Sequence, residues 1–326
     1  MKKATKLHDE HMHLRPHGVH PLPAHRLAPL LEACAERDLV PGIREHAPLP
    51  ERYRLGPDGD YLFCMRASEV DRFLDEFEGQ EVAVGFEVDH IDGLEDETRS
   101  IVGDLLDRAR ARGIAIGGIT GSVHFILGRV PDLELAIGSS PPSPQGDAGG
   151  QPPETPLKAG IPHILCDYLE PVMQAHIADH GAEATVREYF ASVRRLVHSR
   201  LFDVIGHIEL IRKWDRLGSN GRSTLFGDVE DVYAAELDQT LRLAAEADII
   251  VEYNTSGRDI VIGRPYLSDA AVRACVRYGV PIALSSDTHL PKHAGRYFGD
   301  AAEKLRSLGV RELYAVRDRE RLRIAL

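Results

Sequence analysis

Apolar residues along the chain switch between two spacings. Short β-branched and apolar runs occur at "TKLHDEH" (5–11), "LVPGIREH" (39–46), "VAVGFEVD" (82–89) and "IAIGGITGSVHF" (114–125), then at "FDVIGHIEL" (202–210), "DIIVEYNTS" (248–256) and "VPIALSSDTH" (280–289). Between them the spacing becomes helical. In "AHRLAPLLEACAER" (24–37), Leu27, Leu30, Leu31 and Cys34 fall at i, i+3, i+4 and i+7. The stretches 68–77, 95–112, 183–200 and 231–247 read the same way. About seven strands separated by helices predict an α/β fold of parallel strands with helical crossovers, since a tight turn cannot join parallel neighbours. Single α/β barrels reach 326 residues, so one domain over 1–326 is expected.

One stretch breaks the pattern. "GSSPPSPQGDAGGQPPETPLKAG", residues 138–160, is rich in Pro, Gly and Ser and has no periodicity. It reads as a loop insertion inside the strand series, placed where a lid over a nearby site is conceivable.

Composition narrows the function classes. With 51 acidic against 39 basic residues the formal net charge is -12, which argues against nonspecific binding to nucleic acid or anionic membrane. The four cysteines, Cys34, Cys64, Cys166 and Cys275, form no CxxC pair, and the N-terminus lacks an apolar signal core. A reduced, cytoplasmic protein without a membrane span is expected. There is no P-loop, no G-x-G-x-x-G after a strand, no H-E-x-x-H and no G-x-S-x-G.

The chemistry lies at the strand ends. Strand one closes on His11 and His13, strand two on His46, strand three on Glu87 and Asp89, strand four on His124, strand five on His207, strand six on Asn254, and strand seven on Asp287 and His289. Any one of these has an ordinary explanation as a loop histidine or a helix cap. In a parallel barrel, however, every strand C-terminus opens onto one mouth, so residues up to 278 positions apart would converge. Imidazoles and carboxylates without thiolates suit Zn, Mn or Fe, and the number of candidates fits two or three ions. Clustered divalent ions point to hydrolysis of a small phosphate ester. His25, His163, His176, His180, His198 and His293 fall in helix, linker or loop contexts and are assigned to surface or packing. His8 is assigned to the strand face opposite His11.

The motifs "HMH", "EHAPLP", "GFEVD", "GSVHFI", "VIGHIEL", "VEYNTSG" and "SSDTH" occur in this order over residues 11–289. In this respect the chain resembles the PHP (polymerase and histidinol phosphatase) family, and most closely its histidinol-phosphatase branch. The resemblance implies a distorted (β/α)7 barrel with a trinuclear metal site. His11, His13, Glu87 and Asp287 would hold one ion, and Glu87 would bridge to a second held by His124 and His207. A third would take His46, His289 and one loop histidine. Both His17 and His20 remain candidates: His17 precedes a Gly as in the family, and His20 keeps the usual distance to His46. The implied activity is hydrolysis of L-histidinol phosphate by a metal-bridging hydroxide, with Glu87, Asp287 and His289 as catalytic candidates. Arg258, Lys213 and Asn254 are the candidates for binding substrate. Alternatives are a phosphoesterase for a nucleotide or sugar phosphate, and a non-catalytic barrel that binds metal or metabolite. Arg44 departs from the family, which usually has a small polar residue there.

Overall fold

The structure, a computed structural model, describes residues 6–15, 27–53, 64–128, 163–167, 170–219 and 222–326. His17, His20 and the stretch 138–160 lie outside the described residues. In chain order come β1 (Leu7–Met12), α1 (Leu27–Glu36), β2 (Leu39–His46), α2 (Val70–Asp75), β3 (Ala83–Asp89), α3 (Glu95–Ala111) and β4 (Ile116–Ser122). A small hairpin of β5 (Phe125–Leu127) and β6 (His163–Leu165) precedes α4 (Glu170–His180), α5 (Ala182–Ser199), β7 (Val204–Ile205), α6 (Glu230–Glu246) and β8 (Ile250–Asn254). Then follow α7 (Asp269–Tyr278), β9 (Ile282–Ser285), α8 (Phe298–Ser307) and a second hairpin, β10 (Glu312–Arg317) with β11 (Glu320–Ala325).

The seven expected strands form one parallel sheet in the order β1-β2-β3-β4-β7-β8-β9. The sheet curls until β1 meets the far end of β9. There Met12 bridges Thr288, and the His13 amide donates to the Thr288 carbonyl at 2.7 Å. The result is a nearly closed barrel with helices outside it. Helix α5 shows why they pack there: Val186, Tyr189, Phe190, Val193, Leu196 and Val197 repeat at helical spacing, and all are buried.

Register sets the height of each ligand. His46 pairs with Glu87 across β2 and β3, and Glu87 pairs with Thr120 across β3 and β4. In β1 the register slips: Asp9 pairs with Pro41, but Met12 pairs with Ile43, which leaves one extra residue in β1. Such a bulge turns successive side chains to the same side. Glu10 therefore points toward the barrel floor, where Arg44 reaches it, and His11 also points into the barrel, toward the mouth. This corrects the strict alternation expected for His8. It shares the side of Glu10 and bonds Arg317 at the floor, well below His11.

The floor is an ion-pair network. Arg44, fully buried, donates to Glu10 at 3.2 Å, and Arg317 of β10 donates to the same carboxylate at 2.9 Å. The Val316 amide joins them at 3.0 Å. Although burial works against ionisation, His8, Arg317 and Arg44 hold Glu10 at about 2. Arg44 fits because its neighbours are glycines: a Cβ on Gly118 would lie 3.2 Å from the guanidinium, and one on Gly85 3.2 Å from Cδ. The C-terminal hairpin thus plugs the end of the barrel opposite the histidines.

Candidate metal centre at the barrel mouth

Glu87 lies at the centre of the site. It is buried, and its two oxygens approach five imidazoles: His46 Nδ1 and His207 Nε2 at 2.9 Å, His11 Nε2 at 3.3 Å, His13 Nε2 at 3.6 Å and His124 Nε2 at 3.7 Å. Burial alone would raise its pKa, but the charges on His46 and His11 bring it well below the usual carboxylate range. Asp287 approaches His13 Nε2 at 3.3 Å. Its backbone has φ 47°, a left-handed conformation unusual for a non-glycine residue, and such conformations collect at functional sites. The His289 ring stacks on His13 with ring centroids 4.2 Å apart, and the His46 ring stacks on His13 at 4.3 Å.

Among the described residues, three ligand groups share the central cluster, each with donor atoms within 4.8 Å of one another: His11, His13 and Asp287; Glu87, His124 and His207; His13, His46 and His289; a fourth, separate group is His90, Asp92 and Glu95. The donor chemistry fits divalent cations. His11 Nε2 and His13 Nε2 face each other at 3.1 Å, a contact that two bare lone pairs disfavour and a shared cation or proton relieves. The field has the matching sign. Despite burial, the carboxylates of Glu252, Glu87 and Asp287 hold His11 well above its ordinary pKa, and Asp89 lifts His124 to about 10. A site that draws protons onto buried imidazoles is one that favours positive charge.

The proposed substrate residues are placed less uniformly. Lys213 pairs with Asp167 at 3.1 Å. Burial opposes ionisation of Asp167, but the nearby charges of Lys213 and His124 hold it at about 2, which places this pair beside the His124 side of the cluster. The Asn254 amide donates to Asp287 at 3.0 Å and to Glu252 at 3.2 Å, and its oxygen caps the Ser256 amide, which ties it to the ligand carboxylate. Arg258 donates to Asp300 of α8 at 2.9 Å and stacks on Tyr297. The guanidinium beside Asp287 is that of Arg296, which donates to the backbone oxygens of Ser286 and Asp287. Sequence reasoning missed Arg296, and also Glu45 and Glu252, which contact the histidines. The i, i+2 step from Glu252 to Asn254 was the available signal.

No protein-family model matches the chain. A curated protein of Deinococcus radiodurans described as "Probable histidinol-phosphatase" is 30% identical over 144 residues, which is 44% of this chain. The match spans half the length of that relative, 50%. The fold matches a crystal structure of a candidate histidinol phosphatase, HisK, from Listeria monocytogenes with TM-score 0.66, 19% identity and coverage of 90% of this chain and 99% of that one. It also matches histidinol phosphate phosphatase from Lactococcus lactis, solved with zinc, L-histidinol and phosphate, with TM-score 0.59, 16% identity and coverage of 97% and 99%. Motifs, barrel and sequence similarity agree: the chain resembles the histidinol-phosphatase branch of the PHP family and shares the fold of its solved members.

Proposed function

We propose that the protein is a metal-dependent phosphomonoesterase that converts L-histidinol phosphate and water to L-histidinol and phosphate, a step of histidine biosynthesis. The observation that carries this reading is the convergence of six imidazoles with Glu87 and Asp287 at one barrel mouth. The zinc, histidinol and phosphate held by the Lactococcus lactis protein, which has the same fold, support it. His11, His13 and Asp287 would hold one ion, Glu87, His124 and His207 a second, and His46 with His289 a third, completed by His17 or His20. Zinc is the ion in the Lactococcus lactis structure, and manganese or iron would suit the same donors.

Bound divalent ions polarise phosphoryl oxygens, offset their charge and make water acidic near neutral pH. The chain's own residues supply the rest. Glu87 stays ionised between two ligand groups and fixes their spacing. Asp287 and His289, half-buried at the rim, are the catalytic candidates a substrate can reach from solvent. Lys213 offers the phosphate a positive point charge beside His124, with Asp167 holding it in place.

The test is phosphate release from L-histidinol phosphate by purified protein, beside nucleotide and sugar phosphates, with chelator and with Zn or Mn restored. A chelator-sensitive preference for histidinol phosphate is expected. Activity confined to the other phosphates refutes the substrate and keeps the chemistry. Metal binding without any hydrolysis refutes the enzyme reading.

A further inference from the structure

Two buried glutamates flank the "HMH" motif without belonging to any ligand group. Glu252 Oε1 accepts from His11 Nδ1 at 2.7 Å, while its Oε2 accepts from the His207 backbone amide at 2.7 Å and from Asn254 Nδ2 at 3.2 Å. Glu45 does the same from the other side. One oxygen meets His13 Nδ1 at 3.4 Å and the His46 amide at 3.0 Å, and the other takes the Leu14 amide at 2.9 Å. Each carboxylate thus grips one ring through Nδ1 and the backbone of a ligand-bearing strand end through N–H. Glu252 is 1% exposed and Glu45 0%.

We infer that Glu252 is a positioning residue: it holds the His11 proton on Nδ1, aims Nε2 into the cluster and ties that ring to the height of His207. An ionised carboxylate can only accept, so a ring bonded to it through Nδ1 must carry its proton there and present a bare Nε2. Both Nε2 atoms of the motif do face Glu87. Glu45 plays the same part for His13. The inference rests on the metal site proposed above, and it gives a role to the buried carboxylates of β2 and β8 that stand outside the ligand groups.

Glu252→Gln has almost the same shape but only one oxygen, so it cannot satisfy both the His11 N–H and the His207 amide. The full chain is stripped with chelator and titrated with Zn²⁺ against a competing indicator, then with Co²⁺ read by its visible absorption. The expected result is one class of site weakened about 10–100-fold with an altered cobalt spectrum. The remaining sites keep their affinity, and the metal-free melting temperature stays within a few degrees. Unchanged affinity and spectrum overturn the inference while leaving the metal site standing. Failure of the wild-type chain to bind Zn²⁺ or Co²⁺ refutes the metal site itself. A second readout needs no variant. In long-range ¹H–¹⁵N spectra of the zinc-loaded wild type, His11 carries its proton on Nδ1. A proton on Nε2, with zinc on Nδ1, overturns the assignment even if Glu252→Gln fails to fold.

Discussion

Replacing Glu87 by Gln changes one oxygen for an amide in the residue that touches the most imidazoles. The structure shows why the effect is large. One carboxylate lies between the His11, His13 and Asp287 group and the His124 and His207 group, within 3.7 Å of five rings. Losing only an outer partner of a ligating histidine costs about 10–100-fold in metal affinity. A bridging ligand exceeds that for each of two ions, so the lower bound is about 10²–10⁴ for the pair, or roughly 3–6 kcal/mol at about 1.4 kcal/mol per decade. The assay measures bound metal per chain after dialysis against a weak chelator, beside phosphate release and a thermal melt in excess chelator. Metal content and activity should fall together while the metal-free melt stays cooperative. Full metal content with intact hydrolysis would falsify the bridging role.

Lys213→Ala should raise KM for the phosphate ester several-fold with little change in metal content, whereas Arg258→Ala, whose partner is exposed Asp300, should leave KM unchanged; the reverse pattern refutes the placement of the phosphate. Gly85→Ala puts a Cβ 1.9 Å from the Gly118 carbonyl oxygen, so it should cost about 3 kcal/mol or more by urea denaturation. Gly103→Ala, at an open site on α3, should gain about 0.5–1 kcal/mol, and equal midpoints for the two variants contradict the close packing of β3 on β4. Burial, helped by the charge of His180, holds His176 at about 4 when folded. The unfolded chain then takes up the proton first, so stability is complete above about pH 6.5 and declines toward pH 4, by roughly 1–3 kcal/mol. His176→Leu should flatten that decline in chelator-treated protein, and an identical pH dependence rules the explanation out.

The seven barrel strands and their order were legible because buried parallel strands leave continuous apolar runs, and helices between them leave a different period. The convergence of His11, His46, Glu87, His124, His207 and Asp287 followed from topology alone. What escaped was whatever departs from a period. The extra residue in β1 leaves no mark in a strand buried on both faces, so alternation misplaced His8 relative to His11. Glu45 and Glu252 look like any strand carboxylate until their neighbours are known. Arg258 sits one residue past a motif, yet the turn of Thr255–Asp259 carries it outward to Asp300. Helices α4, α7 and α8 and the C-terminal hairpin had no assigned element, and Arg44 stood as an unexplained departure until the glycines beside it appeared.

The seam between β1 and β9 carries one isolated β-bridge, at Met12 and Thr288, and Ser286 hydrogen-bonds Asp9 across it. His11 and His13 stand on one bank of it, Asp287 and His289 on the other. Closing that gap brings together chain segments 278 positions apart, the entropically slowest kind of contact to form. On the proposed reading the ions would act as a clasp on this hoop. The mouth would then be the last part of the molecule to set during folding. Chelation would loosen it first, so amide hydrogen exchange at the two terminal strands should rise before any change reaches the β3–β4 side of the barrel.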